Sequence, residues 1–303
     1  MLLLLFACTA APDDSAAEIP WSYPLDTVLR VTDGQVLGTH NSYHLRDDPM
    51  VTEEWDYDHL PLDEQAGLQG VRQFELDVHQ EADGSFTVYH AFGLDDVSTC
   101  PTLSECLATL RGWSQAHPAH FPMFVLIEPK DDAGGEPIDL DLLDAAVLAD
   151  WPDPFTPAEL LGTHATLLDA VRLDGWPTLD RLRGRVIFHL LDSGDHRDAY
   201  VGPGRPMFTQ PLDTSDPNAA FFLLDDPTDV SIPSVVAAGF LVRTRIDEAL
   251  GAAVSMDSGA HTLSTDYPGE YAFSDGSPVR CNPVHVHADC TATALEDPAF
   301  MGD

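Results

Sequence analysis

Short apolar runs alternate with amphipathic stretches along most of the chain, and this alternation limits the possible folds more than any other feature. The clearest apolar runs cover residues 70–78, 121–128, 185–191, 221–224, 240–245 and 261–266. Apolar residues recur every three or four positions, as in helices, across residues 103–116, 140–148 and 231–238. Strands and helices in alternation form parallel sheets. No Gly-rich phosphate loop follows the first strand, which favours a barrel over an open doubly wound sheet.

The length agrees with a single barrel domain. The chain has 303 residues, and one α/β barrel needs roughly 250. We therefore predict an α/β protein with one TIM (β/α)8-type barrel, complete or distorted, over residues 25–303. Residues 192–218 are rich in Gly, Pro and Asp and are expected to form a long loop with at most one short strand.

The sequence of the first residues is typical of an export signal. The apolar run 1–8 ends in Leu5-Phe6-Ala7-Cys8, which resembles a bacterial lipobox, so Cys8 is predicted to be lipidated. Residues 9–24 are rich in Ala, Pro, Asp and Ser and are expected to be a flexible tether. A cleaved signal peptide or a short membrane anchor are the alternatives, and the run is too short for a span of ~20 residues. The protein is expected to be exported, either as a membrane-anchored lipoprotein or in secreted form.

The other four cysteines occur as two close pairs, Cys100 with Cys106 and Cys281 with Cys290. In an exported protein such pairs predict two local disulfides, with four unpaired buried thiols as the alternative. Neither pair belongs to a C-x-x-C motif, which argues against zinc.

The charge of the chain restricts its partners. Asp and Glu number 51 against 14 Lys and Arg, a formal net charge of −37. Such a charge repels nucleic acid and disfavours an anionic membrane surface. We expect a monomer that does not bind nucleic acid.

Acidic residues interrupt one apolar strand. Across residues 71–78, Phe74 and Leu76 lie on one face, and Glu75 and Asp77 lie on the other. In a barrel the apolar face packs on helices, so the carboxylates point inward near the strand end where barrel active sites lie. Two like charges this close need a cation or a raised pKa, and their oxygens suit calcium or magnesium. Taken alone, the segment is equally compatible with a half-exposed strand.

The next apolar strand repeats this arrangement. It ends in Glu128, and Lys130 follows two residues later on the same face. Lys130 is the only lysine in the chain, and we interpret its ammonium as a point charge for a phosphate oxygen.

Two histidines, His40 and His90, each follow a short predicted strand. A lone histidine is more often structural, but here two accompany three acids and one lysine. Phosphodiester cleavage needs such a set: a metal to polarise the phosphate, a base for the attacking hydroxyl and an acid for the leaving alcohol.

The ordered motifs resemble the calcium-dependent phosphoinositide phospholipase C family, within the phosphatidylinositol-phosphodiesterase TIM-barrel superfamily. They are GTHNSYH (38–44), ELDVH (75–79), VYH (88–90) and EPK (128–130). The likeness extends over residues 36–283 and includes GWPTL (175–179), VRTR (242–245), STDYP (264–268) and RCNP (280–283).

This resemblance implies specific roles. One calcium ion, less plausibly magnesium, would be held by Asn41, Glu75, Asp77 and Glu128. His40 would stabilise the pentavalent phosphate, and His90 would protonate the departing diacylglycerol oxygen. The inositol 2-hydroxyl would attack, giving a cyclic inositol phosphate. Lys130 would contact the substrate phosphate or a ring hydroxyl.

The last two apolar runs supply candidate substrate contacts. Arg243 and Arg245 share a strand face, and Asp266 and Tyr267 close the last strand, so all four are predicted to hold inositol hydroxyls or phosphate. A structural arginine–aspartate pair inside the barrel is the alternative.

Two rival functions remain. A glycerophosphodiester phosphodiesterase or sphingomyelinase D-like enzyme shares the barrel, the histidines and the metal carboxylates, but those families usually present His-Arg where this chain has His40-Asn41. A surface lipoprotein that binds lipid or sugar phosphate without turnover is the other. The few basic residues predict phosphatidylinositol or glycerophosphoinositol, rather than the bisphosphate, as the substrate.

Overall fold

A computed structural model describes residues 21–49, 51–131, 136–273 and 275–301. Cys8, the predicted signal and residues 9–20 of the predicted tether lie outside the described residues. No helix within these ranges is long and apolar enough to cross a membrane.

Eight parallel strands form a nearly closed barrel in the described part of the chain, as predicted. They run in the order β6-β5-β4-β2-β1-β9-β8-β7, with β3 antiparallel to β2 and β10 antiparallel to β1. The strands are β1 (Gly34–Thr39), β2 (Gln73–Gln80), β3 (Phe86–Val88), β4 (Met123–Pro129), β5 (Val186–Leu190), β6 (Phe208–Thr209), β7 (Phe221–Leu223), β8 (Leu241–Arg245), β9 (Thr262–Thr265) and β10 (Val279–Cys281).

The gap in the barrel lies between β6 and β7, which share no ladder among the described residues. One side chain bridges this gap. Leu223 N donates to Gln210 Oε1 at 2.7 Å, and Gln210 Nε2 donates back to Leu223 O at 3.4 Å. A side-chain amide thus replaces part of the ladder that would close the sheet.

Ten helices accompany the strands within the described ranges. They are α1 (Leu62–Leu68), α2 (Leu103–Ala116), α3 (Leu140–Asp150), α4 (Pro157–Leu161), α5 (Leu167–Leu173), α6 (Leu179–Leu182), α7 (Asp195–Tyr200), α8 (Ile232–Ala237), α9 (Ala252–Ser258) and α10 (Ala292–Leu295). The predicted helix 103–116 is α2 itself. It begins at a capping box in which Thr102 Oγ1 accepts from Glu105 N, and Glu105 Oε2 accepts from Thr102 N.

The segment 192–218 differs from the expectation of a loop with at most one strand, because it also contains α7. Asp192 Oδ1 accepts hydrogen bonds from Gly194 N and Arg197 N, at 2.9 and 2.8 Å. This carboxylate satisfies backbone donors at the start of the helix, which lets a segment rich in turn residues form a helical turn.

The N-terminal ends of the strands are closed by packed side chains. Arg72, directly before β2, forms a buried ion pair with Glu296, and its guanidinium lies over the Trp113 ring at 4.6 Å. Both predicted disulfides are present, Cys100–Cys106 and Cys281–Cys290. The second joins the end of β10 to the C-terminal segment, so this end of the barrel is structural and the opposite end is open.

Candidate active site

The loop after β1 is held against β2 by hydrogen bonds from Ser42. Ser42 N donates to Glu75 O at 2.9 Å, and Ser42 Oγ accepts from Glu75 N at 2.7 Å. Asn41 has a φ of +44°, a left-handed conformation that asparagine tolerates better than most residues, and it turns the chain between these contacts. His40 N donates to Thr265 O at 3.1 Å on the other side. His40 and Asn41 are thereby fixed between β2 and β9.

Three carboxylates meet at the carboxyl end of β2 and β4. The register pairs Asp77 with Glu128, and one oxygen each of Glu75, Asp77 and Glu128 lies within 4.8 Å of the others. Glu75 and Asp77 are buried. Burial raises the pKa of Asp77 well above its usual value, and the Glu128 charge raises it further.

Two cations offset part of this negative charge. Lys130 Nζ lies 2.6 Å from Glu128 Oε1 and 3.1 Å from Asp77 Oδ2. Arg243 Nη2 donates to Glu75 Oε2 at 2.6 Å, and its Nη1 pairs with Asp225. Burial would lower the pKa of Lys130, but Asp77 and Glu128 raise it overall, so the ammonium stays charged.

The carboxylate cluster fits a hard cation. Four carboxylates face two cations, and the Lys130 ammonium is shared between Asp77 and Glu128. An excess of negative charge in a buried cluster is unfavourable unless a metal or proton offsets it. The donor set is all oxygen, as calcium prefers.

His40 stands between this cluster and a second acid. Its Nδ1 lies 2.8 Å from Asp266 Oδ1, and its Nε2 lies 3.7 Å from Glu75 Oε1. Asp266 Oδ2 also accepts from Arg245 Nη2 at 3.2 Å. Burial would raise the pKa of Asp266, but His40 and Arg245 lower it overall. The ionised Asp266 therefore accepts a hydrogen bond from Nδ1–H of His40, which leaves Nε2 directed toward the cluster.

His90 is held by a second carboxylate, Asp95. His90 Nδ1 lies 2.8 Å from Asp95 Oδ2, and His44 Nε2 lies 2.8 Å from Asp95 Oδ1. His44 Nδ1 donates to the Tyr57 carbonyl oxygen, 3.1 Å away. Burial would raise the pKa of Asp95, but the hydrogen bonds from His44 and His90 lower it overall.

Two adjoining cavities open on these groups. A cavity of about 770 Å³ is lined by His40, Asn41, His90, Arg245, Asp266, Tyr267 and by side chains of the loop 53–57. A second cavity of about 350 Å³ shares His40 and Arg245 and is lined by Glu75, Glu128 and Arg243. His40 lines both cavities, His90 lines the larger one, and Glu75 and Glu128 line the smaller one, so these groups face adjoining space large enough for a phosphodiester head group.

The sequence matches a known family over most of its length. The family model for Ca2+-dependent phosphoinositide phospholipase C matches residues 29–86 and 83–283. The chain belongs to this family. Members of this family are phosphodiesterases.

Solved structures of phospholipases share the fold. A calcium-dependent phosphoinositol-specific phospholipase C from a Pseudomonas species has a TM-score of 0.66 at 17% identity, covering 85% of this chain and 97% of that one. A Ca2+-dependent phosphatidylinositol-specific phospholipase C from Streptomyces antibioticus has a TM-score of 0.59 at 24% identity, covering 80% and 96%. No curated protein matches the chain.

Within this phospholipase C family member, the predicted site residues gather at one end of the barrel. Two of them differ in setting from the expectation. Arg243 is buried in ion pairs, which agrees with the structural alternative, and Lys130 is engaged by Asp77 and Glu128. Whether either contacts substrate stays a prediction.

Two carboxylates that pair with predicted site residues were not identified from the sequence. Asp95 lies in a turn five residues after His90, and Asp225 follows β7 by two residues. Neither interrupts an apolar strand, so the signal that marked Glu75 and Glu128 does not apply to them. His44, in the same motif as His40, makes hydrogen bonds to Asp95 and to the Tyr57 carbonyl oxygen.

Proposed function

We propose that this protein is a calcium-dependent phosphodiesterase that cleaves phosphatidylinositol-type phospholipids by the phospholipase C reaction, through a cyclic inositol phosphate. One observation carries the proposal. Two histidines, each oriented by its own carboxylate, line adjoining cavities beside a carboxylate cluster that is short of positive charge. This arrangement supplies an acid, an electrostatic stabiliser and a metal site around one phosphate.

Asn41, Glu75, Asp77 and Glu128 would hold calcium. Bound there, calcium would lower the pKa of the attacking 2-hydroxyl and offset charge on the phosphate. A cluster carboxylate takes the hydroxyl proton as the oxygen–phosphorus bond forms. His40 Nε2, opposite the nitrogen held by Asp266, donates to a phosphate oxygen as negative charge grows on it.

His90 completes the step at the leaving group. Its Nδ1 is held by Asp95, so Nε2 gives its proton to the diacylglycerol oxygen as the phosphorus–oxygen bond breaks. The products are diacylglycerol and a cyclic inositol phosphate. Water can later open the cyclic phosphate, with His90 taking a proton from water and the cluster carboxylate returning its proton to the 2-oxygen.

The proposal is tested with phosphatidylinositol in vesicles, with calcium or a chelator, and with phosphorus NMR of the released head groups. Calcium-dependent cyclic or open inositol phosphate supports it. Glycerol phosphate released only from glycerophosphodiesters would instead favour the glycerophosphodiester phosphodiesterase alternative. Calcium binding without hydrolysis of any phosphodiester would favour a non-catalytic binding lipoprotein.

The proposed substrate is phosphatidylinositol whose inositol ring carries no phosphate beyond the phosphodiester itself. Glu53, Glu54 and Glu248 line the larger cavity, and its one lining arginine, Arg245, is paired with Asp266. Additional phosphates would meet carboxylates without a free cation in the described lining. Faster turnover of phosphatidylinositol bisphosphate than of phosphatidylinositol, at equal mole fraction in vesicles, would contradict this preference.

We also propose that the protein is exported and anchored through a lipid on Cys8. The lipobox-like sequence supports this. Mass spectrometry of the mature N-terminus and detergent partitioning of the full chain, compared with the Cys8→Ser variant, test it. Equal partitioning of the two proteins into the aqueous phase would contradict the anchor.

A further inference from the structure

Lys130 places the one lysine ammonium of the chain against the carboxylate cluster. Its Nζ lies 2.6 Å from Glu128 Oε1 and 3.1 Å from Asp77 Oδ2, and both acids belong to the set proposed to hold calcium. The Lys130 side chain is 23% exposed, whereas the Asp77 side chain is completely buried. Among the described residues, no other acid pairs with this ammonium. Its pairing therefore depends on the cluster alone.

The second cation at the cluster, Arg243, is held differently. Its guanidinium is buried and binds Glu75, Asp225 and the Ser264 hydroxyl. Asp225 and Ser264 lie outside the cluster, so they would still hold the guanidinium if Glu75 bound an ion. Lys130 has no such second partner in the described chain, and its ammonium stands on a flexible four-carbon stem. Of the two cations, Lys130 is the one that can leave the cluster.

Calcium and the ammonium would compete for the same acids. Calcium binds carboxylate oxygens at about 2.3–2.6 Å, and the ammonium lies at hydrogen-bond distance from oxygens of Asp77 and Glu128. Two positive charges this close repel strongly where water is largely excluded. The affinity of a calcium site also follows the net charge of its ligands. An ammonium paired with the cluster should therefore weaken calcium binding.

We propose that Lys130 is a built-in counter-ion, whose ammonium competes with calcium for Asp77 and Glu128, lowers the calcium affinity of the site and is displaced when calcium binds. This inference rests on the proposed function, because it takes the carboxylate cluster as the calcium site. It gives Lys130 a role beyond contact with substrate, since Lys130 sets the calcium concentration at which the site fills. Without calcium, the same ammonium stabilises the folded protein by offsetting the charge of the cluster.

The first test measures calcium affinity by isothermal titration calorimetry. Lys130→Met, which keeps a long side chain and removes its charge, should bind calcium about tenfold more tightly than wild type. Lys130→Arg keeps a positive charge within reach of the same acids and should stay within about threefold of wild type. Arg245→Met is the matched control, because it removes a positive charge that pairs with Asp266 outside the cluster, and it should also stay within about threefold.

Two results of this titration would overturn the proposal. One is calcium binding by Lys130→Met that is equal to or weaker than that of wild type. The other is an equal gain in affinity from Lys130→Met and Arg245→Met, which would reflect the overall charge and not the contact. Urea unfolding checks the calcium-free side. In chelator the midpoint of Lys130→Met should lie below that of wild type, and an equal or higher midpoint would contradict the counter-ion role.

A second test follows the displacement itself. Lys130 is the only lysine, so protein grown with 13C-labelled lysine carries one labelled side chain. Its ε-methylene NMR signal should move toward the position and narrow line of a solvated lysine as calcium is added, and should stay in place in Asp77→Asn. This result would support the inference even if no phosphodiester is cleaved. Calcium binding that leaves the signal unmoved would overturn it even if the protein hydrolyses phosphatidylinositol.

Discussion

The two sides of the barrel mouth stabilise their buried carboxylates in different ways. On the histidine side, both oxygens of Asp266 and both oxygens of Asp95 are bound, by His40 and Arg245 in one case and by His90 and His44 in the other. On the carboxylate side, which is Glu75, Asp77 and Glu128, Asp77 and Glu128 share the single ammonium of Lys130, and Glu75 shares Arg243 with Asp225. The carboxylates of the histidine side are fully paired as folded, whereas the carboxylate side keeps an excess of negative charge.

This difference indicates the chemical role to which each side is suited, proton transfer or ion binding. On the side where the carboxylates already have hydrogen-bond partners, the histidines are held in position. These histidines are suited to proton transfer. A side that lacks positive charge is suited to bind an ion, because ion binding relieves the cost of assembling it. Each prediction below changes one side and leaves the other intact.

The largest effect is expected from removing the acid on the histidine side. His90→Ala should lower kcat on phosphatidylinositol by about 10²–10⁴-fold, the usual contribution of a positioned acid. Calcium affinity should not change, because His90 contacts Asp95 and not the cluster. His164→Ala is the control, since His164 pairs only with the exposed Asp174 among the described residues. Normal turnover by the His90→Ala variant would contradict the proposed role of His90 as the acid.

The next largest effect is expected from calcium binding on the carboxylate side and from its loss. Calcium at about 100 times its Kd should stabilise the wild-type protein by about 2.7 kcal/mol, measured as a shift in urea midpoint. Asp77→Asn should abolish most of this shift and most of the turnover. Asp83→Asn, in an exposed turn, should retain both. A full calcium response from Asp77→Asn would remove Asp77 from the metal site.

A smaller effect is expected from His44, which reaches His90 only through Asp95. His44→Leu leaves one buried Asp95 oxygen without a hydrogen-bond donor. The present position of that carboxylate then becomes less stable by about 1–3 kcal/mol. We expect kcat to fall about tenfold, as about 1.4 kcal/mol would produce, with KM unchanged. His44→Gln places an amide donor near the same oxygen and should restore most of the rate. If Gln and Leu variants lose activity equally, or if KM rises instead, His44 is not a positioning residue.

The sequence was sufficient to predict most barrel strands and the carboxylate side. The apolar runs correspond to β2, β4, β5, β7, β8 and β9, and the three helical patterns correspond to α2, α3 and α8. Glu75, Asp77 and Glu128 were recognisable because charge inside an apolar strand is unusual. These signals are local, and local patterns can be read along a chain.

The partners on the histidine side could not be predicted in the same way. Asp95 binds His44 from 51 positions away, and Asp266 binds His40 from 226 positions away. The pairing depends on how loops meet at the barrel mouth, and no periodicity encodes it. The closure between β6 and β7 is similar, because it depends on the side chain of Gln210 and not on a strand pattern.

The last pair of variants gives the most direct test of the contrast, because the two sides should respond to the same substitution with opposite signs. In chelator at pH 7, Asp95→Asn should lower the free energy of unfolding by about 1–3 kcal/mol, since a buried acceptor of two hydrogen bonds is weakened. Asp77→Asn should raise it by about 1 kcal/mol, because it removes a buried charge whose pKa is raised by burial and by Glu128.

The pH dependence follows from the two pKa directions. The pKa of Asp95 is lowered in the folded protein, so its stabilisation is present above the unfolded value of about 3.9 and is lost as pH falls through the lower folded value. The pKa of Asp77 is raised, so its destabilisation grows as pH rises above about 3.9 and vanishes in acid. Urea unfolding of both variants from pH 7 to about pH 3, below the unfolded value, measures this. Saturating calcium should reverse the sign for Asp77→Asn and leave Asp95→Asn unchanged, whereas variants that shift together under all conditions would show that the two sides do not differ.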